Sequence, residues 1–380
     1  HVFWDAAGWF ISQGLPVAVA EALVIAPDKR SETQADVVRE HYIAVAEPMV
    51  DLLRRIEETK KRRKDLEATA PLTVVSRSVK SRTIRILPRG NWMDDSGEIV
   101  QPAVPAFLGS LDLDSRRGTR LDLANWLCES DNVLTSRTLV NRLWFLMFGR
   151  GICESVDDFG GQGTFPTHPD LLNYLAVELV ESGWDIKHML RMIVSSSAYR
   201  RSSKPTPSLR SIDPYNELFA RQGRFRIDAE MVRDGTLLIS GLLVNDLGGK
   251  SSRPYQPVGY YGQLNFPRRT YVADMGSDQY RRGLYTHWQR TFLHPMLKAF
   301  DAPSREECTV ARSRSNTPLQ ALTLLNDPSF VEAARVFAER IVREAVGTTD
   351  DRIQWAHREA VSHQPEAEVA AALRQIYDEH

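Results

Sequence analysis

The segment 119–199 constrains the fold of this chain most, because its apolar residues recur at the spacing of several short α-helices in succession. The second of these helices is predicted to begin near Thr135 or Ser136 and to end at Gly149, a residue suited to the left-handed position after a helix. The third begins with Pro169, whose fixed φ suits the first turn. The loops between helices are only a few residues long, which favours antiparallel packing. The segment therefore predicts a helical bundle.

The whole chain is predicted to be mainly α, with a helical bundle-like domain, a small β-hairpin element and a long N-terminal helical hairpin. The pattern between 33 and 66 is helical and becomes strongly charged, which is typical of a solvated helix face. Four parts are predicted along the chain. The first is an N-terminal helical segment, a fragment of an upstream domain (1–70), and the second is a small β element with a Pro/Gly linker (71–118). The third is the main helical domain (119–346), which contains a long aromatic- and arginine-rich insertion (244–316), and the fourth consists of the C-terminal helices (347–380).

The β element is predicted from two segments, 73–79 and 82–90, which alternate β-branched and charged residues. A short polar link joins them, so we expect the two segments to pair as a hairpin. The segment that follows, 91–118, is rich in Pro, Gly and Asp and is predicted to be an extended linker.

Composition excludes several classes of function. Lys plus Arg number 48 and Asp plus Glu number 49, so the net charge does not favour nucleic acid or an anionic membrane as a partner. No window reaches the ~18 consecutive apolar residues of a membrane span. The chain has no C-x-x-C-H motif for covalent haem. It also begins without a signal-peptide pattern, so we expect any export signal to lie upstream of His1.

A helix predicted at 226–243 carries charges of both signs at neighbouring surface positions. Two interpretations stay open. The charges form a salt-bridge ladder that fixes the helix to a neighbour, or they form the wall of a site in which a carboxylate acts as acid or base. The candidate catalytic residues are Glu230, Asp234, Asp157 and Asp158.

The insertion contains nine aromatic residues between Tyr255 and Phe292, interleaved with arginines. Aromatic faces stack on sugar rings or bases, and guanidinium groups donate charge-assisted hydrogen bonds to anionic groups. The alternative is a loop that covers the bundle and packs its own rings. The candidate ligand-binding residues of the insertion are Tyr255, Tyr260, Tyr261, Tyr285, Trp288 and Arg290.

Other polar residues complete the candidate set. Capping and packing do not explain Arg137, Asn141 and Arg142 in the second helix, and we assign them to ligand contacts together with Arg226 and Arg233. No metal site is predicted, because the histidines and cysteines match no metal-ligand spacing. A catalytic serine elbow and a phosphate-binding loop are also missing from the sequence.

The chain resembles one family over most of its length. The motifs that carry the resemblance include RLDLANWL (120–127), LTSRTLVNRLWFLMFGRGI (134–152), PTHPDLLNYLA (166–176) and RFRIDAEMVRDGTLLISGLL (224–243). They are similar to the C-terminal domain of large exported planctomycete-type proteins, a family of unknown function that carries a cytochrome c module nearer the N-terminus. The resemblance departs at His363, where an Arg is expected. It implies that haem c belongs to an upstream domain, and it assigns no catalytic residue.

Together these features predict an exported, periplasmic or cell-surface module of a cytochrome-c-linked protein that binds or processes a polysaccharide. The upstream cytochrome c domain of the same polypeptide is the expected protein partner. Two alternatives remain. One is a carbohydrate-active enzyme, either a hydrolase or lyase or a haem-coupled sugar oxidoreductase, that uses the carboxylates of the helix at 226–234. The other is a structural scaffold for the cytochrome module.

Overall fold

A computed structural model of the chain describes residues 6–70, 74–263, 269–289 and 292–379. The chain divides into two compact units, His1–Lys80 and Ser81–His380. Over the described residues, fifteen α-helices and one two-stranded sheet, with a few short 3-10 turns, make up the regular structure. The predicted mainly α fold is therefore confirmed.

The first unit contains the helices α1 (Ala6–Ser12), α2 (Val17–Val24), α3 (Glu32–Val45) and α4 (Glu47–Thr69). Ser31 and the Gln34 side chain form a reciprocal capping box that fixes the start of α3. The two long helices meet at Ala46, whose extended φ and ψ interrupt the helical path. From residue 50 onward every residue of α4 is exposed, as expected for a solvated, charged helix.

The sheet of the second unit differs from the prediction. Strand β1 (Ile84–Arg85) pairs in antiparallel register with β2 (Ile99–Val100), and not with the segment 73–79. The described part of that segment forms no strand, and its Val74 side chain is 99% exposed. Alternation in sequence stabilises a strand only where one face becomes buried, and residues 74–79 are all exposed.

The bundle predicted at 119–199 is present. Its helices are α5 (Arg120–Leu127), α6 (Val133–Phe148), α7 (Pro169–Glu181) and α8 (Ile186–Ser195), followed by the short α9 (Pro207–Ile212). Gly149 ends α6 in the left-handed conformation. A hydrophobic core lies among α6, α7 and α8, where Trp144 stacks on Phe148 at 4.2 Å between ring centroids and meets Phe219 edge-on.

A second core forms around α10 (Ala229–Ser240) and α11 (Pro295–Ala299), with α12 (Pro318–Asn326) and α13 (Pro328–Glu344) against them. The helices α14 (Thr349–Val361) and α15 (Ala367–Glu379) complete the unit. The insertion between α10 and α12 has a framework of its own, because parallel bridges join Val244 to Arg281 and Ser252 to Thr286. The hydroxyl of Tyr260 in the insertion donates to the carbonyl oxygen of Leu293, a residue of the second core.

Two helix starts differ from the prediction. Helix α6 begins at Val133, with Asn132 as its cap, and not near Thr135 or Ser136. Helix α10 begins at Ala229, three residues later than predicted, so Arg226 lies outside the helix and cannot form the expected i,i+4 pair with Glu230. Helix α12 begins at Pro318 without a side-chain cap from Thr317, and the buried side chain of Gln320 bonds to Asp301 and Arg226.

Candidate functional site

The insertion builds an open groove of about 680 Å³, which we call the aromatic groove, lined by Tyr255, Tyr260, Tyr261, Arg269 and Tyr271. A second groove of about 730 Å³ shares Tyr255 and Tyr260 with it and continues over α11 and α12. We call this the helix groove. Both volumes lie in the range of about 300–1,000 Å³ that is usual for ligand sites.

The rings of the aromatic groove are held by one another and by a backbone carbonyl. Tyr260 donates its hydroxyl to the carbonyl oxygen of Leu293 at 2.9 Å. The rings of Tyr261 and Tyr271 meet edge-on with centroids 5.5 Å apart, and Phe292 packs edge-on against Tyr260 and Tyr261. Tyr261 is mostly buried, whereas the side chain of Tyr255 is 40% exposed. Tyr255 therefore presents the most accessible ring in a preformed wall.

Two buried basic residues, His294 and Arg233, lie close to this wall. His294 shares a hydrogen bond of 2.9 Å between its Nε2 atom and the carbonyl oxygen of Tyr255, while its Nδ1 atom is buried without a partner. Burial and the charge of Arg233 lower the pKa of His294 to about 4. The neutral imidazole thus fixes the backbone of Tyr255.

Arg233 extends from α10 and is only 2% exposed. One guanidinium nitrogen donates to the carbonyl oxygen of Gln279, and the Nε atom has no partner. Burial lowers the pKa of Arg233 to about 10 despite the nearby charges of Asp234 and Asp327. Burial also raises the pKa of Tyr271 well above its ordinary value. Such perturbed groups concentrate at functional sites more than elsewhere.

Two carboxylates, Asp301 and Asp327, line the helix groove. Burial raises the pKa of Asp327, against the opposing hydrogen bonds from Ser329 and the charge of Arg233. Asp301 accepts hydrogen bonds of 2.7 Å from both the backbone nitrogen and the hydroxyl of Ser315. The groove therefore combines one carboxyl group whose pKa is raised by burial with a second carboxylate held in place by Ser315.

The carboxylates predicted in α10 are engaged by arginines. Glu230 contacts Arg312 at 2.7 Å and Arg305 at 3.5 Å. Although burial opposes ionisation of Glu230, a backbone hydrogen bond and the bond from Arg312 leave its pKa lowered overall. Asp234 accepts the backbone N–H of Gly283 at 2.6 Å. This arrangement fits the salt-bridge interpretation of the helix, since arginine keeps Glu230 ionised.

Arg226 and Arg142 also bind groups of the protein. Arg226 donates to Gln320 and to Asn316 ahead of α12, and it lines a small cavity of about 160 Å³. Arg142 donates to the carbonyl oxygen of Val310, and burial lowers its pKa. Both residues therefore fix the segment between α11 and α12 against the bundle.

The polar residues of α6 and its following loop have structural contacts. Asn141 is fully buried, and its amide exchanges two hydrogen bonds of 2.9 Å with the backbone of Cys153. It holds the loop and faces no groove. Arg137 donates to Asn173 at 3.0 Å across α6 and α7 and borders a cavity of about 270 Å³. Asp158 accepts the N–H of Gly160 in a tight turn.

Three other predicted residues, Tyr285, Trp288 and Asp157, are not among the lining residues of the two grooves. The side chain of Tyr285 accepts a hydrogen bond from Gly248 and is covered by Arg281, 4.1 Å from the ring centroid. Trp288 donates to Ser304 and is covered by Arg305 at 3.8 Å. Asp157 is exposed in the loop after α6. Arg290 lies outside the described residues.

The sequence prediction missed four groove residues, which are Arg269, Tyr271, Asp301 and Asp327. Tyr271 was one of the nine aromatics but was not singled out. Asp327 precedes Pro328 and caps α13, so its residue type is explained by the helix start alone and does not indicate a position in the groove. Pattern reasoning places a cap on a helix but does not show which cavity it borders.

Neither a membrane span nor a metal site is evident in the described part of the chain. None of its helices combines the length and apolar character needed to cross a bilayer. No three His, Cys, Asp or Glu residues in the described ranges converge as metal ligands do.

Comparison with known proteins gives one match. The family model PSD1, "Protein of unknown function (DUF1553)", matches residues 119–377, a range that includes both grooves. No curated protein and no solved structure matches the chain significantly.

Proposed function

The chain belongs to the DUF1553 family of proteins of unknown function, and we propose that its aromatic groove binds a polysaccharide. One observation carries the proposal: Tyr255 and Tyr260 line two adjoining open grooves. A chain-like ligand that occupied both grooves would pass these shared tyrosines. Stacking of a sugar ring on an exposed tyrosine face would supply apolar contact, and Arg269 at the edge would donate hydrogen bonds to hydroxyl or anionic groups.

The setting of this activity is a further part of the proposal. From the resemblance of the sequence motifs, we propose that the domain works in the cell envelope of planctomycete-type organisms, as an exported module downstream of a cytochrome c domain in the same polypeptide. Haem would then belong to that upstream domain. The domain described above would supply the contact with the polysaccharide. A scaffold role alone would give no function to the exposed ring of Tyr255 in the aromatic groove.

A glycan array probed with the purified chain tests the binding proposal, followed by titration calorimetry on the glycans that bind. Tyr255→Ala is expected to weaken binding by about tenfold, which corresponds to about 1.4 kcal/mol. Tyr174→Ala is the matched control, because Tyr174 is an exposed tyrosine of α7 that lines neither groove. Equal affinities of the two variants, or an array without any bound glycan, would contradict the proposal.

An enzyme is the second candidate, favoured by the two carboxylates of the helix groove. Asp327, whose pKa burial raises, would act as the proton donor to a leaving group, and Asp301 would act as base or nucleophile. This assignment replaces Glu230 and Asp234, which are engaged by Arg312 and by the backbone of Gly283.

A reducing-end assay on the glycans identified by the array tests the enzyme candidate. Asp327→Asn is expected to abolish cleavage while leaving binding intact, because the amide keeps the shape of the side chain but is a far weaker proton donor. Asp170→Asn, at an exposed position of α7, is the control. If no glycan that binds is cleaved by the wild-type chain, the enzyme candidate fails and the binding proposal stands.

A further inference from the structure

A third groove, separate from the two described above, lies between the end of α6 and the segment 203–225. Its volume is about 640 Å³. Four of its lining side chains are arginines, Arg150, Arg210, Arg221 and Arg224, whereas Glu154 is its one lining carboxylate. We call it the arginine groove. An excess of fixed positive charge in a concave surface attracts anions.

Two of these arginines are held by the protein. Arg150 donates to Glu154 at 2.8 Å and to Glu217 at 3.0 Å, and its Nε atom is buried without a partner. Arg221 donates to the carbonyl oxygens of Asp213 and Pro214. These contacts fix both guanidinium groups at the groove and neutralise much of the charge of Arg150.

The other two arginines are free of such contacts. Within the described ranges, neither Arg210 nor Arg224 makes a side-chain hydrogen bond, an ion pair or a ring contact. The nearby carboxylates do not pair with Arg210 or Arg224. Glu154 and Glu217 pair with Arg150 instead, and the carboxylate of Asp213 accepts hydrogen bonds from the backbone N–H groups of residues 217 and 218. The guanidinium groups of Arg210 and Arg224 therefore remain available to a ligand.

An aromatic ring stands in the same groove. Tyr215 lines it and is 77% exposed, with no ring partner in the described part of the chain. Guanidinium groups suit planar, bidentate contact with sulfate, carboxylate or phosphate. An exposed tyrosine beside them adds a face on which a sugar ring can stack.

We propose that the arginine groove binds an anionic saccharide, through oxyanion contacts from Arg210 and Arg224 and ring contact with Tyr215. The ligand class shares one chemistry, a sugar ring with sulfate or carboxylate groups. The site is independent of the aromatic groove, since no residue lines both.

Titration calorimetry on the full chain tests this with four probes: sulfated maltohexaose, hexagalacturonate, unsubstituted maltohexaose and tripolyphosphate. The double variant Arg210→Gln/Arg224→Gln should fold normally, because both side chains are exposed and neither has a hydrogen bond or an ion pair to lose. We expect it to bind the preferred anionic saccharide at least about tenfold more weakly. Arg358→Gln, which removes an exposed arginine of α14 away from the groove, should bind as the wild-type chain does.

The probes separate the sources of the anion. Tighter binding of the sulfated sugar indicates sulfate, and tighter binding of hexagalacturonate indicates carboxylate. In either case Tyr215→Ala should weaken binding of the saccharide and leave tripolyphosphate unaffected. Raising the salt from about 50 to 500 mM should weaken anion binding by screening.

Three results would overturn the proposal. The first is binding by the double variant equal to that of Arg358→Gln. The second is failure of both anionic saccharides to bind, or tighter binding of tripolyphosphate together with saccharide binding that Tyr215→Ala leaves unchanged, which would indicate a simple phosphate site. In the third, Tyr255→Ala, and not the double variant, removes the binding, which would place the saccharide in the aromatic groove and leave the proposed function standing.

Discussion

The buried His294 predicts a specific loss of stability in mild acid. Its folded-state pKa is lowered to about 4, while an unfolded histidine titrates near 6.5. Between these values the unfolded chain binds a proton that the folded chain does not, so the free energy of unfolding decreases as the pH falls from about 6.5 toward 4. Integration between about pH 7.5 and 5 gives a loss of about 2 kcal/mol from this one group.

The perturbation is His294→Gln, which keeps a donor for the carbonyl of Tyr255 but does not titrate. The free energy of unfolding is measured by urea titration at both pH values, with fluorescence and circular dichroism followed together. The wild-type chain should lose about 2 kcal/mol more than the variant on acidification. Other groups, including Asp327, titrate in both proteins, so the difference between the two proteins isolates His294.

The exposed His363 provides the matched control substitution, His363→Gln, which is measured in the same way. NMR titration of the imidazole resonances measures the same quantity directly, and the His294 signal should stay in its neutral position down to about pH 5. The reasoning is refuted if His294→Gln and the wild-type chain lose equal stability, or if the His294 signal titrates near 6.5.

Three further predictions concern the contacts that hold the two cores. Asn141→Ala leaves both backbone groups of Cys153 unpaired in the interior and should lower the free energy of unfolding by about 2–4 kcal/mol in urea titrations, with Asn141→Asp only partly restoring it. Gly151→Ala places a Cβ atom 2.3 Å from the Cys153 carbonyl oxygen, so a loss of about 1–3 kcal/mol should appear as a lower thermal midpoint. Arg312→Gln removes the closer of the two arginine partners of Glu230, so the pKa of Glu230 should rise and stability at neutral pH should fall by about 1–2 kcal/mol; an unchanged pH profile would contradict the ion pair.

Local signals predicted the helices well. The left-handed Gly149 ends α6 and the side chain of Asp185 caps α8, and each acts on backbone within a few residues of itself. The strand pairing could not be predicted in the same way. Ile84 pairs with Val100, sixteen positions away, and nothing in the alternating pattern of 73–79 shows that it stays exposed.

The candidate site residues also differ in how far local sequence could predict their surroundings. The concentration of tyrosines and arginines in the insertion predicted a ligand-binding segment, and that stays a prediction; Tyr255 and Tyr260 line the two grooves described above. The sequence did not show that Trp288 is covered by Arg305, or that the side chain of Gln320, in the first turn of α12, bonds to Asp301. Those contacts join distant parts of the chain, and they depend on tertiary packing rather than on local propensity.

The most direct test of the central proposal is a crystal structure of the chain with the tightest-binding oligosaccharide from the glycan array. The account predicts a sugar ring stacked on the exposed face of Tyr255, with the chain of the saccharide running past Tyr260 from the aromatic groove into the helix groove. A saccharide bound elsewhere, with the rings of Tyr255 and Tyr260 uncontacted, would contradict it.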